Sequence, residues 1–214
     1  MAIERDMLKV KVTLNTDMLG TAPKDKEVYA AFVASKTADN QELTASQKKE
    51  LTETELADVQ NGEAEQAETR GWTGFLKDKE KGLWIPDYMI KGFLKTAIEA
   101  CQVNGAIRKI PAYKKWVDRM IHVRPRKIFL GKMEPDGINE RPLRAQTPKG
   151  ERVTLARSDY IAAGSEFSFE VMILKNTKGL TPEVIEAVFE YGEFVGLGQW
   201  RGSGGFGQFT AEVS

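Results

Sequence analysis

The residues with the clearest chemical potential lie in a glycine-rich segment, 196–207, which holds six glycines, two aromatic residues and one arginine. Exposed backbone N–H groups and a guanidinium attract phosphate oxygens, and a neighbouring aromatic ring stacks on an unpaired base. We therefore group Trp200, Arg201, Gly202, Gly204 and Gly205 as a candidate nucleic-acid-binding site. Two alternatives stay open: Trp200 as a buried anchor beneath a turn, and a tight connection in which one glycine satisfies the backbone.

Residues 202–207 also match the pattern G-x-G-x-x-G. In dinucleotide-binding proteins that pattern follows a strand and opens a helix. Here the order is reversed, because a helix-like stretch at 181–195 comes before it and a strand-like stretch at 206–213 comes after it. The pattern therefore does not predict a nucleotide cofactor, and we expect no cofactor.

Charge is distributed unevenly along a chain whose net charge is zero. Residues 38–70 hold nine acids and three bases, whereas residues 91–152 hold fifteen bases and six acids. The second segment predicts a local anionic partner. The alternative is that the two segments neutralise each other.

Four cations of the basic segment are candidate phosphate contacts. Lys91 and Lys95 lie four residues apart on the polar side of a predicted helix, where two like charges cost a few tenths of a kcal/mol. A bound phosphate would offset that cost, and Lys91 also lies near the helix start, where backbone N–H groups favour anions. Arg141 and Arg144 belong to a predicted loop at 132–152.

Several kinds of site are excluded or disfavoured by composition. The single cysteine, Cys101, rules out a disulfide framework and a thiolate zinc site, and the single histidine, His122, rules out paired histidine ligands. We expect no metal and no catalytic residue, although a role for Asp17, Asp25 or His122 stays open. No run of eighteen apolar residues and no apolar N-terminal segment is present, so we expect a cytoplasmic protein without a membrane partner.

Periodicity predicts the elements that must position these side chains. Alternation predicts strands at 7–14 and 164–174, and a strand pair at 119–123 and 127–130. Apolar residues at helical spacing predict a helix that starts at Asp87 as its N-cap and buries Cys101. The order of elements predicts one α+β domain over 1–214 with a ferredoxin-like, RRM-like βαββαβ core. An acidic flap at 38–70 and the basic loop at 132–152 interrupt this core.

Two motifs add a resemblance. The run 84–97, WIPDYMIKGFLKTA, resembles the helix start of the RAMP superfamily, and 196–207 resembles the glycine-rich loop of the same superfamily. RAMP proteins are backbone and processing subunits of CRISPR ribonucleoprotein complexes. The likeness is greatest to the small backbone subunits of type III complexes, although Asp87, Tyr88 and Met89 replace the usual Gly-Ser-Ser and Lys95 stands near the usual arginine.

The resemblance implies a non-catalytic protein that binds single-stranded RNA or DNA, with RNA expected. It implies a homo-oligomer assembled head to tail, or a subunit of a larger ribonucleoprotein. Two alternatives remain: a metal-independent RAMP-type endoribonuclease with His122 as general base, and an assembly protein of a phage or other mobile element that keeps the fold.

Overall fold

A computed structural model describes residues 3–25, 71–147 and 150–214, with only the backbone described for 143–147 and 150–154. The chain divides into two compact units. The first combines Met1–Leu19, Trp84–Gly131 and Ile161–Ser214, and the second combines Gly20–Leu83 and Lys132–Tyr160. The predicted α+β class is confirmed, because helices accompany several antiparallel strand pairings.

The strands, in chain order, are β1 (Arg5–Leu14), β2 (Met18–Leu19), β3 (Ala22–Pro23), β4 (Trp72–Gly74), β5 (Leu76–Asp78), β6 (Gly82–Pro86), β7 (Ile121–Arg124), β8 (Lys127–Phe129), β9 (Gly137–Thr147), β10 (Gly150–Ile161), β11 (Glu166–Leu174) and β12 (Phe209–Val213). The helices are α1 (Asp87–Asn104), α2 (Tyr113–Met120), α3 (Pro182–Glu190) and the single turn α4 (Gly192–Val195). Of these helices, none is long and apolar enough to cross a membrane.

The first unit is built on a four-stranded sheet with the order β12-β1-β11-β7. All three pairings are antiparallel. Along the chain, α1 and α2 lie between β1 and β7, after strands β2–β6, and α3 and α4 lie between β11 and β12. Each of these connections passes over one intervening strand.

Alternation along β1 and β11 explains why these residues form strands with one buried face. Val10, Val12 and Leu14 are buried while Lys9 and Lys11 between them are exposed. Side chains in a strand alternate between the two faces of the sheet, so this pattern places one apolar face against the helices. Residue pairs such as Val10↔Phe169 and Val12↔Phe167 bring matching faces together.

Four phenylalanines join the helices to the buried face of the sheet. The Phe93 ring of α1 lies 5.8 Å from the Phe189 ring of α3 and 5.1 Å from the Phe209 ring of β12. Phe169 of β11 lies 6.0 Å from Phe189. Aromatic pairs at such distances contribute about 0.5–1.5 kcal/mol beyond their buried area, so these contacts fix where each helix sits.

The predicted start of α1 is correct to one residue but not in its capping. Pro86 occupies the N-cap position and Asp87 is the first helical residue. The Asp87 carboxylate accepts a 2.6 Å hydrogen bond from Arg126, and the Asp87 backbone N–H donates to the Arg126 carbonyl. Because Arg126 engages the carboxylate, Asp87 does not cap its own helix.

The predicted burial of Cys101 is confirmed, and burial raises the pKa of its thiol.

The segment 113–130 differs from the sequence prediction in two ways. Tyr113–Trp116 mixes aromatic and basic residues, for which the sequence leaves open either a contact with nucleic acid or an exposed loop; in the structure it begins helix α2, whose Val117 is buried. The strands predicted at 119–123 and 127–130 exist as β7 and β8, but they do not pair with each other. β7 pairs with β11, and β8 pairs with β6, because tertiary partners decide pairing where the local pattern is short.

The predicted loop at 132–152 is wrong for most of its length. β9 and β10 form a long antiparallel pair that runs from Tyr160↔Gly137 to Gly150↔Thr147. Within the described residues β9 pairs only with β10. A proline such as Pro142 is compatible with an edge strand, where the missing N–H need not donate to a neighbour. The proline and the charged residues of this segment are the features that predict a loop from the sequence.

A buried carboxylate organises the rest of the second unit. Asp159 of β10 is 3% exposed and accepts hydrogen bonds from Lys24 Nζ at 3.0 Å and from the Trp72 indole N–H at 2.8 Å. β3 pairs with β4 through Ala22↔Gly74 and Pro23↔Thr73. The described residues that flank segment 26–70 therefore lie on adjacent positions of one antiparallel strand pair. The flap predicted at 38–70 lies outside the described residues.

We predict that residues 26–70 can be replaced by a short Gly/Ser linker. The β3–β4 pairing and the Asp159 contacts hold the two ends together, and loop-closure entropy changes only slowly with loop length. Thermal unfolding of the shortened protein, followed by circular dichroism, should stay cooperative with a midpoint close to that of the full chain. Loss of the cooperative transition would contradict this.

The same shortened protein tests the role of the carboxylate. Asp159→Ala should lower its free energy of unfolding by about 2 kcal/mol, because the ammonium of Lys24 and the indole N–H lose their buried acceptor. Glu134→Ala is the control, since it removes an exposed, ion-paired acid of the same unit. An exposed pair of this kind contributes less than about 1 kcal/mol. Equal effects of the two substitutions would refute the role of Asp159.

Candidate nucleic-acid interface

The glycine-rich loop is held by backbone hydrogen bonds to the chain that follows β1. Leu197 N–H donates to the Gly207 carbonyl at 2.8 Å, and Gly207 N–H donates to the Asp17 carbonyl at 2.8 Å. Gln199 N–H donates to the Leu19 carbonyl at 3.1 Å. The Thr16 hydroxyl donates to the Gly205 carbonyl at 2.9 Å. The loop is therefore attached at both ends and near its centre.

Most of the loop glycines are required by the backbone. Five of them, Gly196, Gly198, Gly202, Gly205 and Gly207, have positive φ angles of 68–84°. At Gly207 a Cβ would also collide with the Leu197 carbonyl oxygen. The argument that one glycine would satisfy this connection is wrong, because the chain reverses several times within twelve residues. Their number alone is not evidence of a ligand.

Gly204 is the exception among the loop glycines, since its φ is not positive. A Cβ on Gly204 would lie 3.0 Å from Trp200 Cβ and 3.6 Å from Phe206 Cδ2. The two aromatic side chains therefore border Gly204. By contrast, a Cβ on Gly202 or Gly205 would meet no atom within 4 Å. The backbone at those two positions faces open space.

Trp200 has a strained backbone and an exposed ring, and the neighbouring Arg201 has no acidic partner among the described residues. Trp200 has φ 56° and is 44% exposed, so the alternative of a buried anchor is wrong. A non-glycine residue at positive φ costs roughly 1–3 kcal/mol and points to a function. Arg201 is half-buried, and burial lowers the pKa of its guanidinium. Within the part of the chain that the structure describes, no hydrogen bond or ion pair reaches that guanidinium.

Both helix lysines have partners within the protein. Lys95 Nζ forms an ion pair with Asp118 of α2 at 2.6 Å. The counter-charge that the sequence argument left to a phosphate is therefore supplied by the protein. Lys91 is half-buried on α1.

Arg141 belongs to the second unit and is packed on its own strand pair. Its guanidinium donates to Asn139 Oδ1 at 2.9 Å and to Ser158 Oγ at 3.1 Å, and burial lowers its pKa. These neutral acceptors position the side chain along β9 and β10. Arg144 is in β9, opposite Val153, and its side chain lies outside the described atoms.

The outer face of the four-stranded sheet carries polar residues that are not among the candidate site residues above. A groove of about 940 Å³ lies on this face, and none of the described helices lines it. Its lining residues include Lys9, Lys11, Arg124, Ser168 and Glu170. Glu170 of β11 lies opposite both Lys9 and Arg124 in the strand register. The period-two pattern of β1 already placed Lys9 and Lys11 on this face, but isolated lysines did not single it out.

Asp17, Asp25 and His122 are the three residues for which a catalytic role stays open from the sequence. Asp17 Oδ1 accepts a 3.0 Å hydrogen bond from the Ala163 N–H, and its carbonyl holds Gly207. His122 is half-buried in β7, opposite Met172, and Asp25 lies in the second unit. Over residues 3–25, 71–147 and 150–214, no group of three or more His, Cys, Asp or Glu side chains is arranged to hold a metal ion.

Comparisons with known proteins give little more than a distant structural similarity. No protein-family model matches the sequence, and no curated protein matches it. One solved structure similar to this chain is the cryo-EM structure of the type III-B Cmr-beta bound to cognate target RNA, with 13% identity and a TM-score of 0.47. The match covers 98% of this chain, which spans 61% of the length of that chain.

We predict that the loop glycines differ sharply in their tolerance of alanine. Gly207→Ala should lower the free energy of unfolding by more than about 3 kcal/mol, because it adds both a strained φ and a collision. Gly205→Ala is the control with a similar φ and open space, and should cost about 1 kcal/mol. Denaturant unfolding measures both. Equal losses would show that the loop does not have the packing described above.

Proposed function

We propose that this protein binds single-stranded nucleic acid, preferentially RNA, at the glycine-rich loop and without catalysis. One observation carries the proposal: an exposed tryptophan in a strained conformation precedes a half-buried arginine that lacks an acidic partner among the described residues. A desolvated cation without a counter-charge is costly. A phosphate at Arg201 would offset that cost, and an unpaired base would cover the exposed ring.

Each part of the loop has a distinct role in this proposal. The Trp200 ring stacks on a base, an interaction that contributes about 1–3 kcal/mol and does not depend on base identity. The Arg201 guanidinium binds a phosphate in bidentate fashion. Gly202, Gly204 and Gly205 carry no side chain that would keep the strand away, so the backbone at these positions can approach it closely. The Gly205 N–H donates to the Gly202 carbonyl at 2.9 Å, so the N–H groups of Gly202 and Gly204 are the proposed donors.

The other predicted cations have lesser roles in the proposal. We propose Lys91 and Arg144 as additional phosphate contacts. Lys95 and Arg141 bond to protein groups, and Lys91 also has a partner within the protein, so substitution of any of these three should affect binding less than substitution of Arg201.

We further propose that the first unit is a ferredoxin-like, RRM-like core within a single domain of the RAMP type. Its strand order and antiparallel pairings support this, because each helical connection joins two strands that flank a third. The resemblance of segments 84–97 and 196–207 to RAMP motifs supports a cytoplasmic backbone subunit of a CRISPR-type ribonucleoprotein. Such a subunit would assemble head to tail along RNA.

We predict that Trp200→Ala and Arg201→Ala each weaken binding of a fluorescein-labelled single-stranded RNA. Loss of one stacked base should reduce affinity about tenfold or more. Loss of Arg201 should also reduce the slope of log affinity against log salt by about 0.7, since one phosphate contact disappears. Fluorescence anisotropy over a salt series measures both quantities. The same sequence as single-stranded DNA should bind less tightly.

Matched controls separate a binding role from a general surface effect. Phe194→Ala removes another exposed aromatic ring of the same unit, and Lys79→Ala removes an exposed cation of the other unit. Both should bind RNA as the wild type does, and all four variants should keep the wild-type melting temperature. Wild-type affinity of Trp200→Ala and Arg201→Ala would refute the proposal.

A further inference from the structure

A second basic surface lies on the helical side of the first unit, away from the residues of the glycine-rich loop in sequence. Residues 105–120 hold five bases and one acid. We define the α2 surface as Arg108, Lys109, Lys115, Trp116, Arg119 and Lys178. Lys115, Trp116 and Arg119 lie on helix α2, Arg108 and Lys109 lie in the connection that precedes it, and Lys178 lies in the turn that follows β11.

The acids around this surface are already engaged by other cations. Asp118 pairs with Lys95 at 2.6 Å. Glu99 accepts the Tyr113 hydroxyl at 2.6 Å and lies 3.3 Å from Lys114 Nζ, and these hydrogen bonds lower the pKa of its carboxyl. Among the described residues, the five cations of the α2 surface therefore have no carboxylate partner.

Two of these cations share one aromatic ring. Lys178 Nζ lies 5.0 Å and Lys115 Nζ 5.3 Å from the centre of the Trp116 ring. Each ammonium gains a cation–π attraction of about 0.5–1 kcal/mol at an exposed site. The ring thereby brings together two like charges that would otherwise repel each other.

The backbone holds this arrangement in place. The Asn176 side chain donates to the Leu174 and Leu180 carbonyls and accepts from the Lys178 N–H, which fixes the turn carrying Lys178. Helix α2 starts after Ala112, which has φ 54°. The Ala112 carbonyl accepts the N–H groups of Lys115 and Trp116.

Strain at Ala112 parallels the strain at Trp200. They are the two non-glycine residues with positive φ in the described part of the chain. Strained residues of this kind persist where the surrounding structure imposes them and cluster at functional sites. Lys115 and Arg119 also lie four residues apart, an unfavourable pairing for two like charges on a helix.

We propose that the α2 surface binds the phosphate backbone of nucleic acid without reading or stacking on its bases. Phosphates supply the negative charge that the protein does not. The Trp116 ring is already in contact with two lysines, and Val117 faces the core, so the outward face of α2 offers cations and no free apolar anchor. Protein partners dock on such anchors, which favours a phosphate backbone over an acidic protein. The inference goes beyond the proposed function, because it concerns other residues and needs no unpaired base.

A blunt-ended, fluorescein-labelled RNA duplex tests this surface, because its stacked bases are not available to Trp200. Lys115→Ala combined with Lys178→Ala should weaken duplex binding about tenfold at low salt and reduce the salt slope by about two. Arg119→Ala, which leaves the Trp116 ring and its two lysines intact, should reduce the slope by about one. Lys115→Arg combined with Lys178→Arg should bind the duplex as the wild type does.

Lys79→Ala combined with Lys81→Ala is the matched control, since it changes net charge by the same amount in the second unit. It should leave duplex binding unchanged, and Trp200→Ala with Arg201→Ala should do the same. Wild-type duplex binding by the Lys115/Lys178 alanine variant would overturn the proposal. So would equally tight binding of a poly-glutamate peptide, which would indicate an acidic protein partner. Loss of duplex binding in the Trp200→Ala, Arg201→Ala variant would show that the loop and the α2 surface form one site, and would overturn the proposal of a separate α2 surface. Loss of single-stranded RNA binding alone in that variant concerns only the loop.

Discussion

The packing of four phenylalanines on one face of a sheet is the constraint on which the rest of the first unit depends. The Phe93 ring lies 5.8 Å from Phe189 and 5.1 Å from Phe209, and Phe169 of the central strand β11 joins the group through its contact with Phe189. This packing requires Gly192, because a Cβ there would approach the Phe209 ring to 2.5 Å. Turn α4 therefore lies close to the sheet, and the chain has little space in which to reach β12.

The conformation of the glycine-rich loop follows from that limited space. Gly198 and Gly207 pass so near to neighbouring carbonyl groups that no side chain fits. Glycine content in this segment is thus explained by the fold. Trp200 and Arg201 are not explained in this way, because neither a strained, exposed tryptophan nor a desolvated arginine helps the chain to turn. Residues whose type is not explained by packing, such as Trp200 and Arg201, are therefore the better candidates for a functional role.

The cations can likewise be divided into those that the fold supplies with a partner and those that it does not. Lys95 has Asp118 and Arg141 has Asn139 and Ser158, so the protein itself provides what a ligand would have supplied. Lys115 and Lys178 share a ring and have no acid partner among the described residues. Net charge counted along the sequence does not separate these cases, because a counter-charge is set by distance in the folded protein.

The sequence by itself determined the elements whose pattern is long and local. Alternation over β1 and β11, and helical spacing over α1, identified these elements and their buried faces to within a few residues. Five of the nine candidate site residues were adjacent in sequence and stayed together in one turn. Tertiary structure alone decided the partners of β7 and β8, the strand formed by the proline-containing segment 137–147, and the ion pair that engages Lys95. The physical reason is that local sequence sets which face of an element is apolar, whereas strand partners, counter-charges and backbone strain depend on residues that are distant along the chain and adjacent only after folding.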